Sequence, residues 1–288
     1  MITKIKTIFS SKESEIEVEI VDEYMSDEDI AELKRAKQIL ENPSFAMKLA
    51  SSVGRPIELV IEKVDSKKLT EITQKALTKS LDMAISSLDT KDKIATSNTK
   101  HKIMTSISGA IGGAFGLPAL AIELPISTTI MLRSIADIAH AQGHNLDEIE
   151  TRMACLEVFA LGSSKSTSDD GAESAYFSAR GVVSYEMKIA IDAVANMSEK
   201  AIQEALARGQ LPLLLKVIET IASRFGITVT EKFVAQSVPL LGAIGGASIN
   251  LMFMNHFQDM AEGHFIVKRL EKIYGLEMVE RVYNELGE

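Results

Sequence analysis

Three observations predict an all-α fold for this 288-residue chain, built as a single multi-helix domain. Apolar residues recur at helical rather than alternating spacing along most of its length. Hydrophobic residues make up 46% of the chain but aromatics only 5%, with no Trp. The core material is therefore Ala, Ile, Leu, Met and Val, which suits packed helices better than a β-sandwich. Two long uncharged runs each contain the hexapeptide GAIGGA, at 109–114 and again at 242–247. They predict two central Gly-rich apolar helical segments related by a pseudo-two-fold repeat.

The elements follow in order. Residues 1–25 alternate weakly, with apolar Ile16, Val18 and Ile20, and are read as an N-terminal arm or edge strand. Residues 26–288 form the helical domain. Ser26 precedes Asp27, Glu28 and Asp29, a capping hydroxyl followed by acids that suit the positive end of a helix dipole. Ile30, Leu33, Ala36 and Leu40 continue that helix, and Asn42-Pro43 ends it. A shorter helix is predicted from Ser44. Leu69, Ile72, Ala76 and Leu81 mark one face of a longer amphipathic helix over 65–89. The first uncharged run follows, from Ile103 to Leu132, in which Glu123 is the only charge. The next helix ends at Gly162, a C-cap candidate. The polar stretch 163–171, SSKSTSDDG, reads as a loop. One long helix is predicted over 173–207, another stopping at Gly226, then the second apolar run from Phe233 to Phe257 and two closing amphipathic helices.

Glycines four apart share a helix face, so Gly109 with Gly113, Gly112 with Gly116, and Gly242 with Gly246 leave grooves where a second backbone can approach; Gly245 adds to the second. Neither copy has the Lys-Ser/Thr of a phosphate loop or a strand before it, so a nucleotide site is not expected. Two readings fit the runs: helices buried in a soluble core, or helices in or on a bilayer. The repeat offset of 133 places Glu123 and His256 at equivalent positions, a candidate acid–imidazole pair. Arg133 and Asp137 are spaced one turn apart after the first run and are expected to be partly buried, with Glu123 or Glu157 as carboxylate partners. Ser127, Thr128 and Thr129 are placed to bond back to helix carbonyls or to line a polar pocket.

A net charge of −9 excludes broad nucleic-acid binding, which needs a basic surface. The lone Cys155 excludes an intrachain disulfide and a cysteine zinc cluster, and reads as a small buried hydrophobe. No serine-hydrolase elbow or HExxH motif is present. The nearest metal-like spacings are Asp137-x-x-His140 and His256-x-x-Asp259, weak candidates that fall short of a ligand set.

The stretches AIELPISTTIMLRSIADIA (121–139), TRMACLEVFALG (151–162), VPLLGAIGGASIN (238–250) and GHFIVKRLEKIYG (263–275) resemble the EcsC family, in order and over most of the chain from about residue 70. The resemblance implies a bacterial helical protein of unsettled function, from a family named for a protein encoded beside an ABC exporter. It carries over no catalytic residue. It places Glu123, Arg133 and Asp137 in one motif, Glu157 in the next, and His264, Arg269 and Glu271 in the last. The family's closing Arg-Arg-Leu-Glu stands here as Lys268-Arg269-Leu270-Glu271, one guanidinium fork fewer.

The expected function is a non-catalytic, membrane- or lipid-associated helical protein, accessory to a membrane transporter, located in the cytoplasm and peripheral to the inner membrane. No cofactor is called for; a homo-oligomer is compatible. The competing expectations are a metal-dependent enzyme with a buried His/carboxylate site and a soluble scaffold. The polar residues expected at the centre of any site are Glu123, Arg133, Asp137, Glu157, His256 and His264.

Overall fold

The computed structural model describes residues 24–41, 66–86, 116–162, 174–237 and 246–286. These residues are helical with short turns and contain no strand. The helices are α1 (Asp27–Leu40), α2 (Ser66–Ser86), α3 (Gly116–Ala141), α4 (Ile149–Leu161), α5 (Ala175–Val194), α6 (Glu199–Ala207), α7 (Pro212–Ser237), α8 (Gly246–Tyr274) and α9 (Leu276–Glu285). The predicted edge strand, the short helix from Ser44 and the 163–171 loop lie outside the described residues. So do Gly109, Gly112, Gly113, Gly242 and Gly245; Gly116 and Gly246 open α3 and α8.

The local signals work as expected where they are strongest. Ser26 caps α1, its Oγ accepting the Asp29 N–H at 3.1 Å. On α2, Leu69, Ala76 and Leu81 are buried. Among the described residues the most completely buried helix is α4. Every residue from Thr151 to Ala160 is buried, whereas α3 and α8 each keep an outer face, with Ile122 71% and Leu251 47% exposed.

Three helix ends differ from expectation. The predicted helix over 173–207 breaks after Val194, and Ser198 starts α6 by accepting the Ala201 N–H. A serine with Glu199 behind it is a second N-cap signal, and it overrides the continuous apolar spacing. α7 runs through Gly226 instead of stopping there, because Phe225, Val229 and Val234 bury one continuous face on either side of it. Tertiary burial outweighs the ~1 kcal/mol propensity cost of one glycine. The final pair of helices divides late: α8 is one 29-residue helix, and only α9 is separate.

Packing contacts give the helix directions. Ser134 and His144 of the α3 region meet Gln258 and Phe265 of α8 in the same order, so α3 and α8 run parallel. Phe225 lies against Phe257, and Lys232 over Phe253, so α7 runs antiparallel to α8. One end of the bundle therefore gathers the start of α3, the end of α7 and the start of α8. A second, smaller core joins α1, the start of α5, the end of α8 and α9 through Leu33, Tyr176, Phe177, Leu270 and Tyr283.

Two glycines are required by close approach. Gly263 lets α1 settle on α8: an added Cβ would lie 2.7 Å from Leu40 Cγ and 3.2 Å from the Ala36 carbonyl. Gly162 ends α4 as predicted, but in right-handed conformation, so it is not a left-handed cap. Its need is space, since a Cβ there would lie 2.4 Å from the Phe257 ring. That ring is locked by Phe159, Phe225 and Phe253. We expect Gly162→Ala to cost about 1–3 kcal/mol through overpacking. Thermal unfolding would show this as a fall of roughly 2–4 °C per kcal/mol.

Candidate functional site

A polar network crosses the boundary between the two cores. Glu157 comes from α4, Tyr176, Arg180 and Ser184 from α5, and His264, Lys268 and Glu271 from α8. Glu157 is buried and accepts the Ser184 hydroxyl at 2.5 Å. Its other oxygen lies 3.6 Å from His264 Nε2. His264 Nδ1 is 2.9 Å from the Tyr176 hydroxyl. Arg180 donates to that hydroxyl at 3.4 Å and forks onto Glu271 at 2.6 and 2.7 Å. Burial pushes the Tyr176 phenol up, so it keeps its proton. Burial, with Lys268 and Arg180 nearby, holds His264 well below the ordinary imidazole range. The neutral ring therefore accepts from Tyr176 at Nδ1 and turns its Nε2–H toward Glu157.

The closing motif is thus a three-way clamp. Lys268, whose ammonium is disfavoured by burial and favoured by Glu157, faces α4. Arg269 pairs with Glu32 and lies 3.9 Å from Asp29 on α1. Glu271 holds α5. Arg269 and Glu271 are thus ion-pair partners of two other helices.

A second buried group lies where α3, α7 and α8 meet. Lys232 Nζ is 2.6 Å from Glu123 Oε1 and 4.6 Å from the centre of the Phe253 ring. Both charged side chains are buried, Lys232 to 1% exposure. Burial lowers the lysine's proton affinity, and Glu123 opposes that shift. Beside it, the Ser127 and Thr128 hydroxyls both bond the Leu124 carbonyl, next to Pro125, which has no N–H to give. These two bond back to the helix, whereas the buried hydroxyl of Thr129, expected to act with them, makes no hydrogen bond among the described residues.

The expected Glu123–His256 pair takes another form. Glu123 meets Lys232, and His256 Nε2 donates to the Gly162 carbonyl at 2.6 Å, where Thr228 also donates. That carbonyl is an orphan at the end of α4, so the imidazole serves as a cap. Arg133 and Asp137 are corrected too: both are exposed. On α3 the buried face is Met131, Leu132, Ile135, Ala136 and Ala139, which turns 133, 137 and 140 outward. Glu157 and His264 are the two sequence-predicted site residues that the fold brings together.

Lys232, Tyr176 and Arg180 escaped the sequence reading. Lys232 was detectable, because it continues the buried register of Phe225 and Val229. Among the described residues, no group of three or more His, Cys, Asp or Glu side chains is placed to hold a metal ion. His140 and Asp137 face solvent, away from the buried His256. Cys155 is buried and burial pushes its thiol up, as an inert core residue requires.

The EcsC protein family matches residues 27–270, a span that starts well before the first recognisable motif. No curated protein matches the chain. No solved structure matches it either.

Two outcomes follow from these clusters. Lys232→Met leaves Glu123 buried without its cation and should cost about 3–5 kcal/mol; Glu123→Leu combined with Lys232→Met should recover most of that in urea unfolding. The second concerns acid. An unfolded chain takes up protons on His264 and His144 below about pH 6.5 that the folded state refuses, so stability must fall as pH drops through that value. Urea midpoints from about pH 7.5 to about pH 5.5 should show this. His264→Gln should be less stable at the upper limit but lose less on acidification.

Proposed function

The chain belongs to the EcsC family, and from that footing we propose that it is a non-catalytic helical protein that seats one end of its bundle on a membrane. The observation that carries this reading is the distribution of charge at the end where α3, α7 and α8 meet. Over residues 116–132, 225–235 and 246–258 the charged side chains are Glu123, Glu231 and Lys232, and all three are buried. Among the described residues there, the exposed side chains are Pro118, Ala121, Ile122, Ile126, Ile227, Leu251 and the uncharged Asn255, and the four branched aliphatics are each at least 47% exposed. Water-facing helix ends ordinarily carry charge; described residues that expose no charged side chain and mainly aliphatic ones suit a solvent that is itself apolar.

The seat is interfacial. No described helix is long and apolar enough to cross a membrane. An amphipathic end needs only to enter the boundary between headgroups and acyl chains. Burying Glu123 and Lys232 against each other also fits: an exposed pair would have to be dehydrated on contact with lipid, whereas this one is already dry.

A second reading, a soluble adaptor, is favoured by a different surface. Val182, Tyr185, Ile189 and Leu213 are exposed along a groove between α5 and the first turn of α7, rimmed by the Glu186–Lys216 ion pair. This groove lies toward the opposite end of α7.

Flotation separates the two. Purified protein should rise through a density gradient with vesicles of mixed phosphatidylcholine and phosphatidylglycerol. The double variant Ile122→Glu and Leu251→Glu should stay at the bottom while melting normally. Wild-type protein that remains entirely unbound would rule out the membrane reading and leave the adaptor.

A further inference from the structure

The uncharged end has a collar, and the collar is basic. α2 packs against both α3 and α7. Its Thr73 faces Gly226 of α7. Its far end lies beside α6 and the start of α4, where Asp82 accepts from Gln203 and the Ile85 carbonyl accepts from Arg152. α6 leads directly into the start of α7, so α2 and α7 run antiparallel, and the start of α2 lies toward the uncharged end. Lys67 and Lys68, about one and a half turns before Thr73, are then level with Lys232, about one and a half turns beyond Gly226.

Both Lys67 and Lys68 are exposed. They are not isolated. α2 exposes Lys67, Lys68, Lys75 and Lys79 against Glu71 and Asp82, a net positive helix in a chain whose net charge is −9. Beyond the collar, α3 and α8 each continue for about two turns, or ~10 Å, from the level of Glu123 and Phe253 to their first residues. Interfacial helices sink by roughly that depth, and lysines at the boundary lay their stems on apolar surface while the ammonium stays at headgroup level.

Resting on the membrane reading above, we propose that the partner surface is anionic lipid: the apolar end enters the acyl boundary while Lys67 and Lys68 contact the phosphates of acidic headgroups. The alternative, a purely apolar contact, would gain nothing from lipid charge. With a net charge of −9 it would be repelled by it.

Binding to vesicles of phosphatidylcholine alone is compared with binding to vesicles containing an equal share of phosphatidylglycerol, at low and high salt. Wild-type protein should bind the anionic vesicles ~tenfold or more tightly, as two lysines near a charged surface provide, and salt should erase the difference. Lys67→Glu with Lys68→Glu should remove the preference while keeping the residual binding to phosphatidylcholine. Lys67→Ala alone, which changes less of the helix, should halve it on a logarithmic scale. Equal binding to both vesicle types, or a preference untouched by the substitutions and by salt, would overturn the anionic-lipid inference and leave the membrane reading standing. Absence of binding to either vesicle would remove both.

Discussion

The structure depends on one long helix that belongs to both hydrophobic cores. α8 passes through both hydrophobic cores, so the polar groups along it must find partners on whichever helix they face. His256 reaches the end of α4, His264 reaches Tyr176 and Glu157, Arg269 reaches α1, and Glu271 reaches Arg180. Each of these contacts favours a register that apolar packing alone would leave degenerate. Sliding α8 by one turn would leave several charged or hydrogen-bonding groups dry and unpaired, at a few kcal/mol each. Gly162 and Gly263 act at the same boundary by admitting Phe257 and α1 more closely than any side chain would allow.

The same logic gives the two ends of the molecule different characters. Where α8 leaves the second core, its charges engage neighbours and solvent. Where it begins, the charges of α3 and α7 are drawn inward, Glu123 pairing with Lys232, and mainly aliphatic side chains are left outside. A buried ion pair is weak evidence for added stability, because dehydration offsets most of its Coulomb energy. Its effect on the surface is unambiguous: it removes two charges from an end that would otherwise display them.

Much of this was legible from sequence. Helical spacing, scarce aromatics and the Ser26 cap lead directly to an all-α bundle with α1, α2 and α4 in place. Local signals failed where they competed. Ser198 broke a continuous apolar pattern, and Gly226 failed to break one, because capping is a strong local event while a single helical glycine is readily overridden by burial. The site was legible only in part. Glu157 and His264 stand out as polar residues in apolar motifs, and they do converge. Their partners Tyr176 and Arg180 come from a helix whose face cannot be oriented without the fold. The Glu123–His256 expectation rested on a repeat offset, and the nearer cation, Lys232, lay on a third helix outside the repeat.

The second core joins elements far apart in sequence. Leu33 and Ala36 of α1 pack with Leu270 of α8 and with Tyr283 of α9, and Lys37 donates to the carbonyls of Tyr283 and Leu286. On the ribosome, α1 emerges well before α8 and α9, and its apolar face has no partner in this core until they follow. Much of the α4-centred core comes from α2 to α7, but the apolar face of α1 stays uncovered until α8 and α9 follow. Premature termination before α8 would therefore leave α1 an exposed amphipathic helix, a recognisable substrate for chaperones and proteases.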